Sequence, residues 1–189
     1  MLGRYVRWLH TGWPAGTVEK LPAIADDGTT NIAGVRVVGD LTGVPLLKLA
    51  ADGGARAVQA IAREPDFAAR KGGDGVVDIA IIGGGVSGIA AAMEAKRLGF
   101  GYVVFEASSE FSTIANFPKA KPIFTYPTAM TPAGPLQLRA KVKEALFDEL
   151  ESQRKASGIE CRRANVDRVE RRGKELAVIV SGEPDDRSI

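Results

Sequence analysis

The sequence predicts an α/β domain built on a central parallel sheet, and three observations carry the prediction. Residues Val76–Ile82 form an apolar run interrupted only by Asp78, the pattern of a strand buried on both faces of a parallel sheet. A glycine-rich turn, Gly83-Gly84-Gly85, separates this run from Val86–Leu98, which reads as a helix closed by Gly99. Gly101–Glu106 then supplies a second apolar strand, completing a strand–helix–strand unit.

The elements on either side follow from the same reasoning. Residues 1–30 are irregular, broken by Gly12, Pro14, Gly16, Pro22 and Gly28. Val35–Val38 reads as a short buried strand. Leu46–Arg63 reads as a helix, with Pro45 where a helix start tolerates proline. Residues 64–75 read as a linker containing Pro65, Gly72 and Gly73. Residues 107–135 read as a long loop containing Pro118, Pro122, Pro127, Pro132 and Pro135, and long loops in compact domains are often functional. Leu136–Ala156 is predicted helical, with Leu138, Val142, Ala145, Leu146 and Leu150 as its apolar stripe. Cys161–Arg171 and Glu175–Ser181 are predicted as two antiparallel strands turning at Arg172-Gly173, and a polar tail follows.

Composition sets the outer bounds. A chain of 189 residues with 45% apolar residues can bury a real core and is not of the disordered class. The 25 basic and 23 acidic side chains nearly balance, so nothing drives the chain toward nucleic acid or acidic membranes. Arg162-Arg163 and Arg168–Lys174 alternate with Asp167 and Glu170, the pattern of a solvated hairpin face. Cys161 is the sole cysteine, which excludes a disulfide framework and a Cys-x-x-Cys pair; a buried strand position is expected for it. With one histidine, His10, and one cysteine, no Ser-His-Asp set or metal cluster can be built. No run approaches the roughly 18 apolar residues of a membrane span, and the N-terminus lacks a signal-peptide core, so a cytoplasmic location is the expectation.

The chemistry lies in Gly83-x-Gly85-x-x-Gly88. The first glycine permits the tight turn out of the strand, the second lets backbone approach a pyrophosphate, and the third allows close helix–sheet packing. Backbone N–H groups of Val86 and Ser87 at the helix start would meet the negative charge. Glu106 stands at the end of the next strand, about 20 residues on, where a carboxylate accepts hydrogen bonds from a ribose diol and repels a 2′-phosphate. These residues bind the ADP half of a dinucleotide; alone they do not separate FAD from NAD.

A second glycine signal lies upstream. Thr29–Asp40, ending Val37-Val38-Gly39-Asp40, resembles the second FAD motif of two-dinucleotide-binding-domain flavoproteins, most nearly the thioredoxin-reductase-like pyridine nucleotide-disulfide oxidoreductases. Asn116-Phe117-Pro118 resembles that family's loop near the flavin, and Gly134, Leu136 and Gly158 match its pattern. The resemblance implies a three-layer FAD/NAD(P)-binding, Rossmann-like fold with a small antiparallel β-meander. It implies FAD as cofactor, with Gly39 giving close backbone approach and Asp40 on the ribityl chain. Backbone N–H groups near Lys48 and Leu49 would face the flavin, and Asn116 would lie beside it. Residues 1–63, 64–75 and 76–189 would form one FAD-binding domain, in circularly permuted order, of a larger protein. NAD(P)H would bind outside the chain, in a missing domain or partner subunit, and a homodimer is implied.

The chain departs from the family at several points. Leu47-Lys48 stands where Arg-Gln is usual, Ser108-Ser109-Glu110 replaces a Gly-Gly pair, and there is neither a Cys-x-x-Cys nor a second fingerprint. The return strand that usually closes the domain is also absent from the sequence. Two other readings therefore stay open: an NAD-binding Rossmann dehydrogenase domain, and a non-catalytic module that senses FAD or ADP-ribose. Tyr126 could stack on a flavin ring, though loop packing is the simpler expectation. His10 beside Trp13 could act as a base, though a capping or solvent-facing histidine is simpler.

Overall fold

The computed structural model describes residues 21–68 and 75–181. His10, Trp13 and the polar tail lie outside the described residues. Three long helices carry one face of the molecule: α1 (Leu47–Ala62), α2 (Val86–Leu98) and α3 (Lys143–Ala156). A parallel sheet in the order β1-β2-β3 is formed by β1 (Ile79–Ile82), β2 (Tyr102–Glu106) and β3 (Arg162–Arg163). β4 (Val166–Arg172) and β5 (Glu175–Val180) form an antiparallel ribbon. The fold is α/β and Rossmann-like, layered as helices, sheet and ribbon.

The β1–α2–β2 unit folds as its local sequence dictates. Ile79 pairs with Tyr102 and Ile82 with Phe105 in parallel register. The side chains of Ile79 and Ile81 enter the main core beneath the helices, with Val104 from β2. Phe105 points the other way and packs with Val178 and Val180 of the ribbon. Helix α2 is buried nearly all round, and Ile89, Ala90, Ala92 and Ala95 are wholly inaccessible. Its run of alanines keeps it thin, so the sheet and α1 can both approach. Gly99 ends it in the left-handed region at φ 79°, returning its N–H to the last turn.

Glycine also sets the α1–α2 contact. A Cβ at Gly54 would stand under 3.0 Å from the Ser87 carbonyl, so α1 lies directly on the first turn of α2. Across this interface the carboxylate of Glu94, fully buried, accepts from Gln59 Nε2 at 2.8 Å and from Arg97 at 2.8 and 2.6 Å.

Four sequence expectations are corrected. Val35–Val38 joins no sheet: Arg36 bridges Thr29 and the Val37 N–H donates to Gly28 O, so this extended segment folds against its own neighbour. Helix α3 begins at Lys143, seven residues later than expected. Residues 136–142 stay outside the helix, with Val142 extended and bridged to Pro122, and their backbone donors find side-chain acceptors on the helix: Gln153 Oε1 takes the Gln137 N–H, and Glu149 Oε2 takes those of Arg139 and Ala140. The expected strand Cys161–Arg171 divides, its first residues extending the parallel sheet and the rest forming the ribbon, so the meander has two strands. The stretch expected as linker starts with a helical turn, Pro65–Ala68, whose Phe67 ring meets Phe100 edge-on at 5.0 Å.

Candidate dinucleotide site

The fingerprint glycines have distinct local constraints. Gly83 adopts φ 103°, a conformation side chains rarely take. Gly88 sits where a Cβ would collide with the Gly83 carbonyl, which fixes the helix tight against the turn. Gly85 differs from both: it is exposed, has an ordinary φ of −74°, and a Cβ there would meet nothing within 4 Å. The space in front of Gly85 is therefore open. Helix α2 begins at this point with no side-chain cap, leaving the first-turn N–H groups, including those of Val86 and Ser87, without a side-chain acceptor. Uncapped donors, the positive end of the helix and an open backbone fit a pyrophosphate.

Glu106 closes one side. Its Oε2 accepts the Gly84 N–H at 2.6 Å, and its Oε1 accepts the N–H and hydroxyl of Ser108 at 2.8 and 3.1 Å. Partial burial pushes its pKa up, but the N–H groups of Ser108 and Gly84 outweigh that, and the carboxyl lies below its ordinary value. Glu106 is thus a fixed anion at the fingerprint turn. The Phe111 N–H donates to Gly84 O at 3.0 Å, so the N–H of this glycine is held by the last residue of β2 and its carbonyl by a residue of the loop that follows. A one-turn helix, Ser112–Ala115, starts there and leads to Asn116, which is exposed.

The second glycine signal meets the first. Gly39, at φ 76°, lies against the first turn of α2, where a Cβ would stand 2.5 Å from Ser87 Oγ. Asp40 follows in a short 3-10 turn, Gly39–Thr42, with its side chain exposed. The structure therefore brings Gly39, Asp40, Gly83, Gly85, Val86, Ser87, Gly88 and Glu106 around the start of α2.

Lys48 is not free to join them through its side chain. It is 7% exposed, and its Nζ donates to the carbonyls of Pro127, Thr128 and Met130 at 3.1, 3.0 and 2.8 Å. All three ammonium protons are used, leaving only its backbone N–H toward a ligand. Leu49 lines a cavity of about 660 Å³ with Ile24, Val37, Gly39, Asp52 and Arg56. That cavity contains no fingerprint residue. Cys161 packs partly buried against the main core, and its thiol is pushed up to about 12 by burial and by the neighbouring Glu110, which leaves it an inert thiol at neutral pH.

Sequence reasoning missed the bracing of Gly84, the contact of Gly54, and the partners of Lys48. Only Gly54 carried a signal: a glycine pair within a predicted helix costs about 1 kcal/mol per residue relative to alanine, which asks for a packing reason.

No family model matches the chain, and no curated protein matches it. Among solved structures, it is similar to the bacillithiol disulfide reductase Bdr (YpdA) from Staphylococcus aureus, at 19% identity and a TM-score of 0.46. The match covers 55% of this chain and 33% of that one, so the chain spans about a third of that enzyme's length. Among the described residues no helix is long and apolar enough to cross a membrane, and no group of His, Cys, Asp or Glu side chains is placed to hold a metal.

Proposed function

We propose that this chain is the FAD-binding part of a flavoprotein oxidoreductase, passing electrons from NAD(P)H bound outside the described residues to an acceptor. The observation that carries this reading is the seating of Gly39 on Ser87, which joins the Gly-Asp turn to the fingerprint helix. A dinucleotide fingerprint alone serves NAD as well as FAD; a carboxylate at Asp40 beside the same helix adds a group suited to a polyol chain. FAD, when bound, supplies the redox chemistry. The chain's own residues bind and orient: backbone N–H groups of Val86 and Ser87 hold the pyrophosphate, Glu106 the adenosine ribose, and Asp40 the ribityl hydroxyls. The start of α1 presents its N–H groups, including those of Lys48 and Leu49, to negative charge on the ring end. Cys161 is the sole cysteine of the sequence, so this chain would offer no dithiol relay of its own to the acceptor.

The purified protein is expected to carry, or take up, a yellow chromophore released as FAD on denaturation. Asp40→Ala is expected to weaken FAD about tenfold while leaving ADP-ribose binding nearly unchanged. A colourless protein that refuses FAD but binds NAD would instead define an NAD-binding dehydrogenase domain. Bound FAD that NAD(P)H plus its cognate donor domain cannot reduce would define a sensor.

A further inference from the structure

The family resemblance implies that the Lys48 backbone N–H faces the ligand; its side chain is directed elsewhere and is nearly inaccessible. Three carbonyls of one short loop converge on it. One turn further along α1, Asp52 Oδ1 accepts the Ala133 N–H at 2.8 Å, while Oδ2 accepts Arg56 Nε at 2.6 Å. Gln137 Nε2 donates to the carbonyls of Pro132 and Gly134, and a Cβ at Gly134 would stand 2.5 Å from that of Ala55. Residues 127–134 are therefore laced to the first two turns of α1, with Lys48 carrying most of the bonds.

What the loop presents lies just before the lacing. The rings of Phe124 and Tyr126 stack on each other at 6.2 Å and 20°, yet are 71% and 54% exposed. Two large exposed aromatics held on a fixed loop make a wall for a flat ring. Its place along the site follows from α1. Gly54 touches the first turn of α2, where the pyrophosphate would sit. Lys48 lies six residues earlier, about 9 Å toward the start of α1. A ligand running from α2 toward the start of α1 brings its ribityl and ring end to this loop.

We infer that Lys48 is a positioning residue: it fixes residues 127–130 against the start of α1 and so sets the adjoining aromatic wall, Phe124 and Tyr126, on the ring side of the bound dinucleotide. The inference rests on the FAD reading for the identity of the ring, and on the hydrogen bonds alone for the lacing. Both parts are tested by amide hydrogen exchange of peptides covering 124–134, read together with ligand affinity. In the unaltered protein, FAD is expected to slow exchange in these peptides and ADP, which lacks the ring, is not. Equal slowing by both, or by neither, overturns the ring-side role. Lys48→Met is expected to speed exchange there at least about tenfold without ligand and to weaken FAD about tenfold with ADP unchanged. Weaker FAD with unaltered exchange would make Lys48 a direct ligand and overturn the inference. Should the protein take up no FAD, the functional reading fails and the ring-side role with it, whereas the exchange of Lys48→Met without ligand still decides the lacing. If Lys48→Met does not fold, Lys48→Gln, whose amide offers two donors where the ammonium offers three, is expected to speed exchange in 127–130 about threefold, and unchanged exchange there overturns the inference.

Discussion

At the scale of single residues, the three fingerprint glycines separate into different physical demands, and that separation can be measured. Gly88 has no room for a Cβ because the Gly83 carbonyl occupies the space. Gly88→Ala is expected to cost about 2 kcal/mol or more in denaturant unfolding, since backbone rather than a flexible side chain must move. Gly85 has ample room and an ordinary φ, so Gly85→Ala is expected to change stability by about 1 kcal/mol or less. The same substitution puts a methyl where the pyrophosphate would approach, and FAD or ADP affinity is expected to fall about tenfold or more. A Gly85→Ala protein that folds normally and binds either nucleotide at full strength would disprove the assignment of this opening. Glu94 makes a second residue-scale case, through pH. Hydrogen bonds from Arg97, opposed by burial and aided by Gln59, hold its carboxyl below the ordinary glutamate value. A lowered folded pKa means stabilisation that is present above the ordinary value of about 4.3 and declines as pH falls from there through the folded value. The stability difference between the native protein and Glu94→Gln is therefore expected to stay flat from neutrality to about pH 5, then shrink on further acidification. A difference that is constant down to the acid transition would show that the Glu94 charge contributes nothing.

Elements were legible in the sequence where their signals were local. β1, α2 and β2 appear where the apolar runs and the glycines at 83 and 99 put them, because each is bounded by its own punctuation. The backbone geometry at the fingerprint was legible for the same reason: Gly83, Gly85, Gly88 and Glu106 belong to one short unit whose turn geometry its own residues decide. The start of α3 was misread because Leu138, Val142 and Ala145 fit a helical spacing. Leu136, Leu138 and Ala140 also alternate with Gln137, Arg139 and Lys141, and that period of two is the one realised. Glu149 and Gln153 supply acceptors to this backbone outside the helix; no periodicity within 136–142 reports them. Val35–Val38 shows the opposite limit. Its residues are strand-like, but the positive-φ glycines at 28 and 34 fold it back on Thr29. The partners of Lys48 were illegible because they are carbonyls some 80 positions away in sequence.

At the scale of the whole molecule, the two faces of the sheet are covered unequally. Helices bury Ile79, Ile81 and Val104 on one face, and the β4–β5 ribbon buries Phe105 of β2 on the other. The ribbon does not extend over β1: Ala80 is exposed and Ile82 is 54% exposed. Among the described residues β1 is also the outer strand, paired only with β2. An apolar strand open on its edge and on one face is a template for pairing with another chain. Concentration-dependent association through β1 is the expected behaviour of this chain in isolation. Ile82→Lys places a charge on the open face without touching the core beneath the helices, so unfolding stability is expected to move by no more than about 0.5 kcal/mol. The same change is expected to shift the mass distribution in light scattering toward the monomer, since Lys on an outer strand opposes further pairing. Ile82 ends β1 directly before the Gly83 turn, yet points away from the helix side of the sheet, so ADP affinity should be preserved. If Ile82→Lys unfolds the domain, or leaves association unchanged, the open face of β1 is not where copies of this chain meet.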